Sequence, residues 1–265
     1  MNLSLSRLPR IRTRMLPLLS AACGVAGLLL RLLYAAIGTD DAGLLIPGHP
    51  AWICVCLVSV AAAAIAVLGV LPIRGPAAYR ACFPRSVSGA AGGVLAGISA
   101  LAAAVTHFRT GAPIFPGFLT PVLSFLQGAV MVLAAAALVL TALYRLQGQK
   151  PPFLSHVAIC AYFAIQMLTL YQARSFDPQL QEYCFELFAC IALTMTAYQL
   201  AAFDIGKGSH RRLWAWGLAA VYLCCLSAAS GFFFIAGGIW AFTNLSNLRR
   251  PRQRKAIGEE IPTAE

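Results

Sequence analysis

The chain has 265 residues, of which 60% are hydrophobic and 11% are charged, and its mean hydropathy is +0.76. Soluble domains carry about 25% charged residues, and a water-soluble chain of this size needs a polar surface. The composition therefore excludes an ordinary soluble domain and indicates one membrane domain. A net charge of +11 would suggest nucleic acid as a partner of a soluble protein, but the positions of the charges give it another explanation below.

Polarity divides the chain into three parts. Residues 1–14 are polar and basic, residues 15–248 are dominated by apolar runs, and residues 249–265 form a polar tail that begins RRPRQRK. We predict a basic cytoplasmic amino terminus, a transmembrane bundle and a basic, disordered cytoplasmic tail. The first apolar run continues well past Cys23, so we expect an uncleaved first span and not a signal sequence.

Six apolar segments precede the last run, and each is long enough for one helix across a hydrocarbon core of about 30 Å. Two of them open with a capping residue followed by proline, a favoured arrangement at helix starts. In chain order the predicted spans are Met15–Ile37, Ala51–Leu71, Val87–His107, Thr120–Tyr144, Phe153–Gln172 and Pro178–Phe203.

The third span carries glycine at every fourth position, at Gly89, Gly93 and Gly97. One face of this helix therefore has no side chains, which lets a neighbouring helix approach closely. We predict that the three residues are helix-packing glycines. A substrate groove along the same face is the alternative.

The last apolar run, Leu213 to Leu248, contains no Asp, Glu, Lys or Arg. A single helix of this length would reach about 54 Å at about 1.5 Å per residue, which is nearly twice the thickness of the hydrocarbon core. Two short crossings, broken near Ser227–Gly231, use the whole run. We therefore predict an all-α bundle of eight spans, with seven as the alternative.

The distribution of cations favours eight spans. With a cytoplasmic amino terminus and alternating spans, 17 of the 20 Lys and Arg residues fall on the cytoplasmic side and two fall outside, while Arg31 lies within the first span. This is the bias that the positive-inside rule describes. Seven spans would reduce the ratio to 12 against 7. We predict that both termini are cytoplasmic and that the net charge attracts anionic lipid headgroups, not nucleic acid.

Polar residues inside the predicted spans are functional candidates, because each ionisable side chain at a helix centre costs about 2.5 to 3.5 kcal/mol on insertion scales. Four of them lie about six residues, or about 9 Å, below the outer surface, and a fifth lies one turn from Glu186. We predict that Arg31 pairs with Glu186 or Glu182 and that two glutamines complete a polar layer. The candidate site residues are Arg31, Gln127, Gln166, Glu182 and Glu186.

This polar layer has three interpretations. It is a satisfied ion pair that fixes the order of the helices, or it is the floor of an outward-facing cavity that binds a small polar or charged solute. In the third interpretation, Arg31 extends outward to Asp40 or Asp41. The first leads us to expect a structural, sensory or assembly role, and the second leads to a transporter or solute-binding protein.

Motifs for enzyme chemistry are missing from the sequence. It has no HExxH, no GxSxG, no P-loop and no Gly-rich dinucleotide fingerprint. The nine cysteines form no CxxC pair and lie mostly in apolar runs, which is typical of small filler residues. We therefore expect no catalytic residue, no metal and no cofactor, and we expect the four histidines to be solvated or to cap helices.

Two stretches carry a resemblance. They are RLLYAAIGTDDAGLLIPGHPA, residues 31–51, and YQLAAFDIGKGSHRRLW, residues 198–214. Both resemble a group of uncharacterised multi-span membrane proteins common in clostridial gut bacteria. The resemblance implies a bacterial plasma membrane and brings no activity, substrate or site residue.

Overall fold

A computed structural model of the protein describes residues 15–38, 46, 48–71, 73, 79–110, 120–174 and 180–248. All regular structure in these residues is helical, which confirms the predicted all-helical fold. The predicted amino terminus, 1–14, and tail, 249–265, lie outside the described residues. The helices are α1 (Leu16–Ile37), α2 (Pro50–Val70), α3 (Tyr79–Cys82), α4 (Val87–Thr110), α5 (Thr120–Gln147), α6 (Phe153–Arg174), α7 (Leu180–Asp204), α8 (His210–Leu226) and α9 (Phe232–Ser246).

Among the described residues, six helices are long and apolar enough to cross a membrane. They are α1, α2, α4, the Ser124–Gln147 part of α5, α6 and the Tyr183–Asp204 part of α7. Large apolar side chains on their outer faces are exposed, for example Leu57 at 63% and Leu133 at 59%. Exposed apolar surface of this extent is unfavourable in water and favourable against lipid.

The last apolar run forms two antiparallel helices, α8 and α9. A Cβ atom on Gly217 would lie 2.8 Å from Leu245, and one on Gly238 would lie 3.0 Å from Cys224. The two helices are joined by a 3₁₀ turn, Ala228–Ser230, and by Gly231. The break therefore falls at the place that the sequence predicts.

Helices α4 to α9 form a closed ring in which each helix packs on the next and α9 packs on α4. Helix α1 packs on α8, and α2 packs on both α1 and α8, so this pair lies outside the ring. Sequential helices run in opposite directions. We call the end of the bundle at which α1 begins the proximal end, and the opposite end the distal end.

The connection between α2 and α4 contains a buried element that the sequence did not predict. Its residues Tyr79, Cys82 and Phe83 are buried at 5%, 0% and 2% exposure. The short helix α3 thus places apolar and aromatic side chains in the proximal end of the bundle. Helix α3 was not predicted, because a helix of four residues is too short to show the hydrophobic periodicity that identifies a helix in a sequence.

Candidate functional site

An ion pair and a hydroxyl at the distal end of the bundle join three separate elements. Arg31 Nη2, from α1, donates to Glu186 Oε1, from α7, at 2.9 Å. The hydroxyl of Ser230, in the turn between α8 and α9, donates to the same carboxylate oxygen. We call Arg31, Glu186 and Ser230 the distal cluster.

Burial explains why the carboxylate of Glu186 needs both partners. Its side chain is only 4% exposed, while that of Arg31 is 18% exposed. A carboxylate taken out of water loses its hydration, and a nearby cation together with a hydroxyl donor compensates for that loss. The distal cluster therefore ties α1, α7 and the α8–α9 turn together through one acid.

The two glutamines of the predicted layer lie on α5 and α6, and α6 packs directly on α7, the helix of Glu186. Gln127 Nε2, on α5, donates to Thr169 Oγ1, on α6, at 3.1 Å. Gln166 also lies on α6, whereas α5 stands across the ring from α8, the helix on which α1 packs. The structure thus brings Arg31 and Glu186 into contact and places the glutamines on the adjacent pair α5–α6. The side chain of Glu182, like Asp40 and Asp41, lies outside the described residues.

A second polar cluster, at the proximal end, surrounds Arg145. This residue is 5% exposed, and its Nη2 donates to Asn244 Oδ1 of α9 at 2.7 Å. Its guanidinium carbon lies 4.0 Å from the ring centroid of Phe83 and 5.6 Å from that of Tyr79. A planar cation stacked on an aromatic face is stabilised even without water.

The same cluster contains an acid shared between α6 and α7. His156 Nδ1 and Asp204 Oδ2 are 2.5 Å apart, and both side chains are almost fully buried. Burial raises the pKa of the Tyr79 phenol, the Arg145 cation opposes this rise, and the Asp204 carboxylate adds to it. The Asp204 carboxylate thus interacts electrostatically with Tyr79 and with Arg145. We call Tyr79, Arg145, His156, Asp204 and Asn244 the proximal cluster.

The histidines correct the expectation that all four are solvated or cap helices. His49 is a cap, since its Nδ1 accepts a hydrogen bond from Ala51 N at the start of α2. His107, His156 and His210 are buried at 8%, 3% and 2% exposure. His107 Nε2 contacts the backbone oxygen of Ser124 at 2.9 Å, and His210 Nε2 lies 3.0 Å from Cys82 Sγ.

The proximal cluster was not predicted from the sequence, because Tyr79, Arg145 and Asp204 lie outside the predicted spans, while His156 and Asn244 lie within a few residues of the ends of apolar runs. The predicted fourth span ends at Tyr144 and the predicted sixth span at Phe203, so Arg145 and Asp204 each come directly after a predicted span. One feature of the sequence did indicate that Arg145 belongs to the helix. It follows the fourth span without a break in helical periodicity, and α5 extends to Gln147.

The three glycines of the predicted packing face contact more than one neighbouring element. Cβ atoms on Gly93 and Gly97 would lie 3.3 Å from backbone oxygens of α5, those of Leu138 and Ala135. Gly89 instead faces Ser86 and Asn247, near the end of α9. The face therefore packs on α5 along most of its length and on the α9 end at Gly89.

Among the residues that the structure describes, no three His, Cys, Asp or Glu side chains are placed to hold a metal ion. The chemistry of both clusters is that of charge pairing and hydrogen bonding inside a helical bundle. The fold and its exposed apolar surface thus define a helical membrane protein. No protein family, no curated protein and no solved structure matches the chain.

Proposed function

We propose that the chain is an eight-span protein of a bacterial plasma membrane with both termini in the cytoplasm. Its role is non-enzymatic: a structural, sensory or assembly component in which the distal cluster braces the helices from the outer side. The cation bias of the sequence supports this orientation, with the proximal end cytoplasmic. The bacterial plasma membrane is the location that the resemblance of residues 31–51 and 198–214 implies.

The observation that carries the bracing role is the closed geometry of the distal cluster. The Glu186 carboxylate oxygen already accepts from Arg31 and Ser230, so the charges that would recognise a solute neutralise each other. Because these residues come from α1, α7 and the α8–α9 turn, the pair also fixes how the peripheral helices sit against the ring. A brace of this kind needs no ligand to be satisfied.

Solute binding or transport is the second candidate, and one observation favours it. The Arg31 side chain keeps 18% of its surface exposed, and Ala229 and Ser230 of the adjacent turn are exposed. An anionic solute that arrives from the distal end would meet the guanidinium first. Transport would then require the Arg31–Glu186 pair to open and admit water below it.

The native Cys190 distinguishes the two candidates. It lies one helical turn below Glu186 on the same face of α7 and is 1% exposed. We would keep Cys190 as the single cysteine and treat intact cells with a membrane-impermeant maleimide. The bracing role predicts that Cys190 stays unlabelled, whereas labelling from outside contradicts it and supports transport. Ala229→Cys in a cysteine-free chain is the positive control for a water-exposed distal position.

A further inference from the structure

An apolar groove opens on the lipid-facing side of α4. Its volume is about 420 Å³, and its lining includes Val87, Ala91, Val94 and Ile98 of α4 and Leu146 of α5. Val87 and Ile98 are 72% and 54% exposed, while Ala91 is exposed and has only a methyl side chain. The groove is shallow and wide open to the lipid, and the small side chain of Ala91 lies between larger neighbours that line it.

The length of the groove matches one leaflet of a bilayer. From Val87 to Ile98 the helix rises about 17 Å, at about 1.5 Å per residue, and half of a hydrocarbon core is about 15 Å. The groove starts at the proximal end of α4. It therefore extends from the headgroup level to about the midplane, which is the reach of one acyl chain.

Two exposed cations stand at the proximal end of the groove. Arg85 precedes Val87 by two residues, and its Cβ lies 3.5 Å from the position of a Cβ built on Gly148, two residues beyond the lining residue Leu146. Lys150 follows two residues later, and both cations are exposed. The start of α4 adds the partial positive charge of a helix amino terminus.

Acidic side chains do not compensate these cations in the described part of the chain. The side-chain carboxylates that the structure describes are those of Glu186, at the distal end, and Asp204, which is buried against His156. The groove thus has an apolar body of acyl-chain length and a cationic mouth. An anionic amphiphile fits both parts, and a zwitterionic one fits only the body.

We propose that this groove is a binding site for one anionic phospholipid, with an acyl chain along α4 and its phosphate headgroup at Arg85 and Lys150. The proposed site does not depend on the orientation of the protein in the membrane. Only its assignment to the cytoplasmic leaflet rests on the proposed topology. Binding strengthens the attachment of α4 to α5 at the proximal end, because the lipid contacts both helices.

Spin-labelled lipids in reconstituted vesicles test the site. The protein is placed in vesicles, and the motionally restricted fraction is measured by electron paramagnetic resonance for labelled phosphatidylglycerol and for labelled phosphatidylcholine. Each cation near a membrane surface favours an anionic lipid by about fivefold. We expect a restricted phosphatidylglycerol population with clear preference over phosphatidylcholine, which R85Q/K150Q reduces by at least about fivefold.

Matched variants separate this site from general attraction by a basic surface. R211Q removes an exposed cation from the start of α8, which does not line the groove, and we expect it to keep the preference. A91F fills the groove and should remove the restricted population, with A91L as the milder variant if A91F does not fold. A64F, at an exposed position of α2, is its control.

Three outcomes would overturn the proposal. The first is equal restriction of both lipids by the unmodified protein, which would mean that the groove is ordinary lipid-facing surface. The second is equal loss of preference in R211Q and R85Q/K150Q, which would mean that total charge decides. The third is a change of oligomeric state in A91F with unchanged lipid restriction, which would make the groove a contact with a second copy of the chain.

Discussion

Each of the two clusters contains a buried charge that has a partner on another helix. In the distal cluster this charge is the Glu186 carboxylate, and in the proximal cluster it is the Arg145 guanidinium. Removing one partner of such a pair leaves the other charge buried and uncompensated, which costs more than the pair itself contributes. Single substitutions should therefore be more harmful than paired apolar ones.

Glu186→Gln tests this at the distal cluster. The variant removes the anion that Arg31 contacts, and we expect a loss of about 2 kcal/mol in unfolding free energy, below the roughly 3–5 kcal/mol of fully buried pairs, since Arg31 is partly exposed. Thermal unfolding in detergent measures it. The double variant Arg31→Met/Glu186→Leu should recover part of the loss; a double variant less stable than Glu186→Gln would contradict the argument.

Arg145→Lys tests the stacked geometry of the proximal cluster. Lysine keeps the charge but lacks the planar group that lies 4.0 Å from the Phe83 ring centroid and bonds Asn244, so we expect a loss of about 1–3 kcal/mol in unfolding free energy. Arg211→Lys, at an exposed position, is the matched control. Equal unfolding temperatures for both variants would show that charge alone suffices at residue 145.

At the scale of single residues, the sequence predicted how deep each polar side chain lies in the bundle, but it did not predict which helices are neighbours. Counting residues from the span ends placed Arg31 and Glu186 at one level, which is why they entered one hypothesis. The same count placed Gln127 at that level, yet α5 and α1 lie on different sides of the ring. Helix adjacency depends on how faces pack in three dimensions, and a single sequence carries little information on it.

Helix contacts in this bundle depend on small residues where two backbones meet. A close approach of this kind joins α1 to α8 at Gly24. A Cβ there would lie 2.5 Å from the Cβ of Cys225 and 2.8 Å from the backbone oxygen of Tyr222. Neither atom can move without a shift of the helix that carries it.

Gly24→Ala should therefore weaken the α1–α8 contact, by about 1–3 kcal/mol for overpacking. Gly89→Ala is the matched control, because its Cβ would meet side chains, the nearest being Ser86 Oγ at 3.3 Å, and alanine favours the helix by up to about 1 kcal/mol. Unfolding temperatures of both variants measure the difference. A larger loss in Gly89→Ala would contradict the packing described for α1 and α8.

The turn between α8 and α9 depends on Gly231. Its φ of 155° and ψ of 163° lie in a region that residues with a side chain rarely adopt. No heavy atom lies within 4 Å of a Cβ built at this position, so a substitution there changes the backbone energy without a clash. The conformation of the break in the last apolar run thus depends on one glycine.

Gly231→Ala should lower stability by about 1–3 kcal/mol through backbone strain alone. Ala229→Gly, two residues earlier in the same turn, supplies a control for a change of side chain without a demand on φ. Proteolysis at the turn and thermal unfolding would both report the strain. Unchanged stability of the Gly231→Ala variant would mean that the turn relaxes into another conformation.

Helices were predictable here to within a few residues, because apolar runs bounded by proline and charge define them directly. Length against membrane thickness predicted that Leu213–Leu248 breaks, and the segment Ser227–Gly231 gave the place of the break; α8 ends at Leu226. Helix α3 could not be predicted, since Tyr79 is held inward by Arg145, and Phe83, the residue after the helix, by Phe203, and not by local propensity.

On the scale of the whole molecule, the described ring of α4–α9 with α1 and α2 outside it contains six helices of membrane-spanning length and the shorter pair α8 and α9, and these eight helices alternate in direction. An even number of crossings returns the chain to the side on which it began. The proximal end then carries the exposed cations Arg85, Lys150, Lys207, Arg211 and Arg212, and the sequence continues beyond α9 into RRPRQRK. The positive-inside bias and the even number of spans therefore lead to the same claim, that both termini lie in the cytoplasm.

Reporter fusions at two positions measure this claim most directly. A reporter that is active only outside the cytoplasm and one that is active only inside it are fused after Ala229, in the α8–α9 turn, and after Glu265. Eight spans predict outside activity at Ala229 and cytoplasmic activity at Glu265. Outside activity at Glu265 would contradict the account, because the last apolar run would then cross the membrane once.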